Sequence, residues 1–378
     1  MKIWIYKVFA LILGVIFISC KHGSGNLPDY THLLYSPEYS IGFEIKGDEN
    51  SDNVMITVSN PWQGADDVTK RLYIQKDSVI ANGLNHGVLK NEAKKIACMS
   101  STHIAMLDAL GETHRIVAVS GLPFVSNEKI RARGEEIADI GYDGNIDYEA
   151  LLAAAPDIVL LYSINSESGL QAKLDELNIP YIYIGDYLEE NPLGKAEWVV
   201  AIAELVNKRE KGIQIYNEIC NRYNKLKKDI ETHNLSKPKV MLNIPYGDSW
   251  FMPPTGSYMA DLIEAAGGEY IYKENHTTSS LPIDMEEAFE LVANADYWIN
   301  VGTLTSLDDL KKNYPRFKNA DCVLAGKVYN NNKILTEGGG NAFFESGIMN
   351  PDLILRDLST IFHPELNMDE ELIYYHKL

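Results

Sequence analysis

The chain has 378 residues, long enough for two domains, with 46% hydrophobic and 23% charged residues, the balance of a folded globular protein. Its formal charge of −19 repels phosphate backbones and anionic headgroups, which sets nucleic-acid binding aside. Four cysteines, Cys20, Cys98, Cys220 and Cys322, are too scattered for a disulfide framework or a zinc motif.

Residues 1–20, MKIWIYKVFALILGVIFISC, place Lys2 and Lys7 ahead of an uninterrupted apolar run from Val8 to Ile18. Basic residues on the N-terminal side only, before a run this short, read as a secretion signal and not a membrane span. Phe17-Ile18-Ser19-Cys20 resembles the bacterial lipobox, whose cysteine is acylated and becomes the first mature residue, although Phe17 stands where Leu is preferred. The alternative is an ordinary cleaved signal with an incidental cysteine. On the lipobox reading, residues 1–19 are a signal peptide and Cys20 is the lipidation site, anchored by acyl chains at ~0.8 kcal/mol per buried CH₂. Lys21 to Asp29 is small and polar, so residues 20–35 read as a tether.

Alternating apolar and polar residues at Tyr39–Ile45, Val54–Ser59 and Lys70–Gln75 predict a small antiparallel β element over 36–93. From about Lys94 the rhythm changes. Short apolar runs (Ile96–Met99, Ile116–Val119, Ile137–Ile140, Ile158–Tyr162, Tyr181–Ile184) alternate with helical stretches at His103–Leu110, Tyr148–Ala154 and Leu170–Leu177. Continuous apolar strands separated by helices predict a parallel sheet covered on both faces, a first lobe over 94–207. Lys195 to Val206 reads as an amphipathic helix closing this lobe.

Asn207 with Glu210 looks like a capping-box variant opening a second helix. Its apolar positions keep three-to-four spacing from Ile213 to Ile230, one rod over 208–232 about 37 Å long. Beyond Pro238 the alternation restarts, with strands at Val240–Ile244, Tyr297–Val301 and Val328–Tyr329 and helices at Ser257–Ala266, Met285–Ala293, Leu307–Asn313 and Pro351–Phe362. That is a second lobe over 238–365, followed by a Tyr-rich acidic tail, 366–378. The predicted class is α/β: two Rossmann-like lobes joined by one long backbone helix, behind a small N-terminal β element. Two lobes joined by a stiff rod leave a cleft, the usual place for a small ligand.

This plan resembles the helical-backbone (class III) periplasmic substrate-binding proteins of ABC importers for iron-siderophore, heme or vitamin B12. Asn145-Ile146-Asp147-Tyr148-Glu149 leading to Pro156-Asp157-Ile158-Val159 is similar to the family's N-x-E-x-I-x-x-x-x-P-D-x-V, and Asp261–Tyr270 to its L-x-x-x-G-G-x-N. The stretch from Met285 to Ile299 repeats the glutamate–helix–strand pattern, with Asn294-Ala295-Asp296 for the usual Pro-Asp. The resemblance covers about residues 94–362. It implies a lipid-anchored periplasmic carrier with no cofactor of its own. Its partners would be a permease dimer and, through it, the ATPase subunits.

In that family one glutamate on each lobe docks into arginine pockets of the permease. The matching positions are Glu149 and Glu287, with Glu286 the near alternative. The plainer alternative is acids favoured at helix starts by the dipole. Cleft candidates are Ser101, Thr102, Phe124, Arg131, Arg133, Tyr142 and Tyr162 in the first lobe, and Tyr246, Trp250, Met252, Tyr258 and Thr303 in the second. Arg131 and Arg133 would suit an anionic ferric chelate. The ligand reading is an iron chelate (siderophore or heme), with the corrinoid cobalamin second; His103 and His276 are conceivable heme ligands, and no direct metal site is expected. The rival class is a hydrolase: Gly247-Asp248-Ser249 superficially resembles a GDSL nucleophile, but the Asp-x-x-His that such enzymes place downstream occurs only upstream, at Asp29 and His32. Glu337-Gly338-Gly339-Gly340-Asn341 reads as a turn rather than a phosphate cradle.

Overall fold

The computed structural model of the protein describes residues 30–77, 87–142, 144–233, 235–366 and 371–378. The signal, Cys20 and the tether up to Asp29 lie outside the described residues. The chain enters through a five-stranded sheet: β1 (His32–Tyr35), β2 (Phe43–Gly47), β3 (Val54–Ser59), β4 (Thr69–Gln75) and β5 (Val88–Lys90), paired in that order. The first four are antiparallel and β5 runs parallel to β4. Period-two alternation turns Phe43, Ile45, Val54, Ile56, Leu72 and Ile74 inward. Residues 32–35, expected to be tether, are the edge strand β1.

The first lobe comprises β6 (Ile96–Cys98), α1 (Ser101–Leu110), β7 (Ile116–Val119), α2 (Glu128–Arg131), β8 (Ala138–Asp139), the hairpin β9 (Gly141–Tyr142) and β10 (Asn145–Ile146), α3 (Tyr148–Ala154), β11 (Ile158–Leu161), α4 (Gly169–Leu177) and β12 (Tyr181–Tyr183). Its sheet runs β12-β11-β6-β7-β8, parallel throughout. Two helices follow, α5 (Pro192–Leu205) and α6 (Arg209–Glu231).

The second lobe holds β13 (Lys239–Leu242), β14 (Trp250–Met252), α7 (Tyr258–Ala265), β15 (Glu269–Tyr270), β16 (Leu281–Ile283), α8 (Met285–Ala293), β17 (Tyr297–Ile299), α9 (Leu307–Asn313), α10 (Asp321–Leu324), β18 (Val328–Asn330), α11 (Pro351–Phe362) and β19 (His376–Lys377). Its sheet runs β15-β13-β17-β18-β19, with β19 antiparallel at the edge, and β14 pairs separately with β16. The chain end is therefore part of the lobe and no loose tail. The Asp357 carboxylate accepts the N–H groups of Ile373, Tyr374 and Tyr375 at 2.7–3.2 Å, and both tyrosines are buried.

The rod α6 spans 23 residues, about 35 Å, and buries Tyr216, Ile219, Tyr223 and Ile230 along one stripe. It packs against α5 on one side and α11 on the other. Its start differs from the expected capping box. Asn207 adopts a left-handed conformation (φ 55°) that ends α5, as asparagine tolerates, and its side chain accepts from Lys76 at 3.0 Å.

Helix α5 is not amphipathic: nearly every residue is buried, Glu197 and Glu204 included. The N-terminal sheet covers the face that the sequence suggests is solvated. The Glu197 carboxylate receives the backbone N–H groups of Glu38 (2.8 Å), Tyr39 (2.8 Å) and Ser40 (2.7 Å) and the Tyr35 hydroxyl (2.6 Å). Eight residues earlier, ahead of α5, Glu189 accepts from Ser40 Oγ, Ile41 N and Trp198 Nε1. Near the end of α5, Glu204 pairs with Lys76 and Arg209 at 2.9 and 2.8 Å.

Replacing Glu197 with alanine orphans one buried donor, Ser40 N, and three part-buried ones, each costing about 1–3 kcal/mol unless water reaches it. Glu197→Ala should therefore lower the unfolding free energy by about 3 kcal/mol or more. Glu176→Ala, at an exposed site, should stay within about 0.5 kcal/mol. Equal urea midpoints for the two variants would contradict the clamp.

Candidate ligand cleft

Loops at the C-terminal ends of parallel strands are where α/β sheets bind ligands, and here the second lobe is met in two places, once by a loop of the first lobe and once by the N-terminal sheet. At one, Thr336 Oγ1 donates to Pro123 O (2.9 Å) and Ser126 N to the Glu345 carboxylate (2.7 Å). Gly338 and Gly340 pack so closely on Pro123 and Phe124 that a Cβ would stand 2.3 and 2.0 Å from their carbonyl oxygens. The triple glycine is thus a turn, as expected, and it is glycine because another backbone touches it. At the other place, Gln63 Nε2 donates to Thr278 O at 3.0 Å.

Beside this second bridge opens a cavity of about 820 Å³. The first lobe supplies residues 164–165, 185 and 187–190; the second supplies 253–254, 257–258 and 278–280; the N-terminal sheet adds 41–42, 59–60 and 62–66 as a third wall. Trp62, Tyr187 and Tyr258 give it aromatic surface, Asp66, Glu189 and Glu190 are its acids, and no lysine or arginine is among the described residues that line it.

Under the floor lies a polar joint between the lobes. Asp186 is buried, and desolvation pushes its carboxyl up to about 6 against the opposing pull of Lys195 and the Thr102 hydroxyl, 3.4 Å away. Lys195 Nζ donates to Asp186 O at 2.8 Å and stands 5.0 Å from the centre of the Tyr258 ring, so an α5 cation holds an α7 aromatic face. Burial pulls the Lys195 amine down, while Asp186 and Glu189 oppose this.

Of the expected cleft residues, Tyr258 lines this cavity. Ser101 and Thr102 stand half-buried in the first turn of α1, whose cap is Ser100. Tyr162 follows β11, half-buried; Tyr246 and Thr303 are exposed in the loops after β13 and β17. Phe124 and Tyr142 meet edge to face at 5.8 Å, both about half exposed, beside the glycine turn.

Several expectations are corrected. Trp250 and Met252 are fully buried: they form β14, and the Trp250 indole donates to Leu242 O (2.8 Å) and packs against Trp298 and Phe317. Arg133 donates to Thr113 O and Ile116 O, at the start of β7 and so at the sheet end opposite the cleft. Arg131 is exposed on α2 and is not among the residues that line the cavity. His103 is sealed in the core with neither ring nitrogen bonded, its pKa driven down to about 3 by burial, and His276 is an exposed loop residue near Thr255. Ser249 closes a tight turn with Tyr246, and no histidine bonds to it among the described residues. The sequence analysis missed the third wall, because Trp62 and Gln63 precede the recognisable lobes.

The exposed glutamates sit on matched helix starts. Asp147 caps α3 by accepting Ala150 N, and Asp284 caps α8 by accepting Glu286 N and Glu287 N. Counted from the cap, Glu286 occupies the position that Glu149 has on α3, and Glu287 follows it.

Residues 96–334, more than half of the chain, match the family described as periplasmic binding protein. The chain belongs to that family. Its members bind solutes and are not enzymes. The binding protein is 28% identical over 295 residues to an uncharacterized lipoprotein of Methanocaldococcus jannaschii, covering 75% of this chain and 68% of the relative. A second uncharacterized lipoprotein of that organism is 24% identical, covering 83% and 81%. Similar solved structures include a possible iron-binding periplasmic solute-binding protein from Staphylococcus epidermidis (TM-score 0.56, 16% identity, 72% of this chain and 100% of that one). A periplasmic heme-binding protein from Pseudomonas aeruginosa also matches (TM-score 0.56, 14% identity, 72% and 93%). At these identities the likeness establishes the fold. The N-terminal sheet, and with it the third wall, precedes the matched residues.

The Asp186 shift has a sign that can be measured. Its folded pKa, about 6, lies above the ordinary 3.8, so protonation favours the native state. The stabilisation is full below 3.8 and is lost as pH rises through 6, by up to about 3 kcal/mol at 1.36 kcal/mol per unit. Asp186→Asn should therefore gain stability relative to the native protein between pH 4 and pH 7; an offset that stays constant in urea titrations at both pH values would show that Asp186 titrates normally.

Proposed function

We propose that this binding protein is the capture subunit of an ABC importer, held at the membrane through Cys20, and that it takes a metal chelate between its lobes for delivery to a permease. The lipobox-like Phe17–Cys20 and the two relatives named as lipoproteins support the anchor. The observation that carries the ligand class is the cavity itself: about 820 Å³, aromatic on three sides, with acids and no lysine or arginine among the described lining residues. A polyanionic ferric siderophore would meet like charge there. A tetrapyrrole such as heme presents broad apolar faces to these walls, and similar structures include heme-binding proteins. Cobalamin is the second reading, favoured by the same lack of basic side chains.

For docking, Glu149 on α3 and the Glu286–Glu287 pair on α8 form the two acidic points, one per lobe. Each is exposed and capped by an aspartate, so arginine pockets of a permease could engage both in one register.

Two measurements test this. Hemin titrated into the purified protein should quench tryptophan fluorescence and shift the Soret band, with cobalamin the next best ligand; no response to hemin, cobalamin or ferric siderophores would remove the transport reading. Reversing Glu149, Glu286 and Glu287 to arginine together should leave ligand affinity within about twofold and stop cellular uptake. Unimpaired uptake would remove the docking role.

A further inference from the structure

The loop between β3 and β4 is built more firmly than a connection requires. Asn60 and Asp67 adopt left-handed conformations at its two ends. Asn60 N donates to Val68 O (2.7 Å), and Asn60 Oδ1 accepts Val68 N (3.1 Å), so the loop is closed at its base. A turn follows inside it, with Ala65 N donating to Trp62 O at 3.1 Å. Trp62 is half-buried; its ring lies edge-on to Tyr183 of β12 at 5.6 Å, with Lys70 Nζ 5.6 Å from its centre. Lys70 is itself fixed by Glu167 at 2.5 Å.

Gln63 joins three bodies at once. Its backbone N–H donates to Ile164 O of the first lobe (2.8 Å), and its side-chain amide to Thr278 O of the second (3.0 Å), while its Cα belongs to the N-terminal sheet. Ile164 and Thr278 both line the cavity. The sheet cannot drift away from this wall, because Glu197 and Glu189 hold residues 38–41 immediately before β2.

We propose that the 60–68 loop is the specificity wall of the cleft, in which Trp62 packs its indole on the flat face of a macrocyclic metal chelate and Gln63 latches the second lobe over it. This rests on the reading of the cavity as the cargo site. A preformed aromatic wall presents a large rigid surface at little entropic cost. The acids beside it, Asp66 and Glu190, disfavour cargo whose negative charge is turned towards this loop.

The test uses the full-length protein with hemin and cyanocobalamin as probes. Ser280, exposed on the second-lobe wall of the same cavity, provides the control for the cavity reading: Ser280→Trp should fill the space and abolish binding. Trp62→Phe keeps a flat ring and should bind within a few-fold of the native protein; Trp62→Leu keeps apolar bulk without the ring and should bind about tenfold more weakly. Gln63→Leu should speed release of the bound probe several-fold with the association rate unchanged. If Ser280→Trp binds as the native protein does, the cargo lies elsewhere and the cavity reading falls with the proposal. If Ser280→Trp blocks binding while Trp62→Leu and Trp62→Phe bind alike, the cavity reading stands and the specificity wall is overturned.

Discussion

A buried carboxylate with no cation beside it organises the N-terminal half of this protein. Glu197 sits in the middle of α5 with no surface exposed, and its charge is spread over three successive backbone N–H groups and one phenol. Consecutive N–H groups wrapped around an anion make a nest. Such a nest replaces hydration without the entropy of fixing a long basic side chain. It also dictates path: residues 38–40 must pass directly over α5, and that leaves β2 to start where Phe43 reaches the Trp198 ring at 4.8 Å. The sheet is thereby an extra layer of the first lobe and no independent ornament.

That layer decides how the cleft can move. Helices α5, α6 and α11 pack side by side between the lobes, and the Pro123–Gly340 and Gln63–Thr278 contacts add ties in front of them. Rigid packed helices permit small shear and resist the wide hinge closure of proteins joined by flexible strands. A site of this kind selects by shape already present, so the identity of its wall residues matters more than the energy of closing. The Lys195–Tyr258 contact is part of the same logic: it bridges the lobes through the ring face of a residue that lines the cavity.

The lobes were legible because their signals are local. Continuous apolar strands such as Ile158–Leu161 and caps such as Asp147 and Ser257 are read from a few adjacent residues. What was not legible depends on contacts far apart in sequence. Glu197 and Glu204 look like the wet face of a helix until a sheet 120 or more residues earlier is laid over them. Trp250 and Met252 look like a cleft loop, since nothing nearby shows that β14 pairs with β16 some 30 residues later. The arginines misled for a related reason: sequence gives their number but not which end of the sheet they reach, and Arg133 is spent on carbonyls at the wrong end. Trp62 and Gln63 were missed because the family pattern begins only after them.

The acids of this chain divide into two kinds, and the division separates folding from recognition. Glu197 and Asp357 are buried and bonded to neutral donors; they hold backbone in place and offer nothing to a partner. Glu149, Glu286 and Glu287 are exposed in first turns, where the helix dipole favours them by only about 0.3–1 kcal/mol each. Their removal therefore touches the fold lightly, while their charge remains free to pair with another surface. A protein at −19 has many such exposed acids, so charge alone does not single these out. Their distinction is geometric: each lobe presents its acid from an aspartate-capped helix leading into a strand of the sheet, α3 into β11 and α8 into β17, so two equivalent supports fix their separation as rigidly as the lobes themselves.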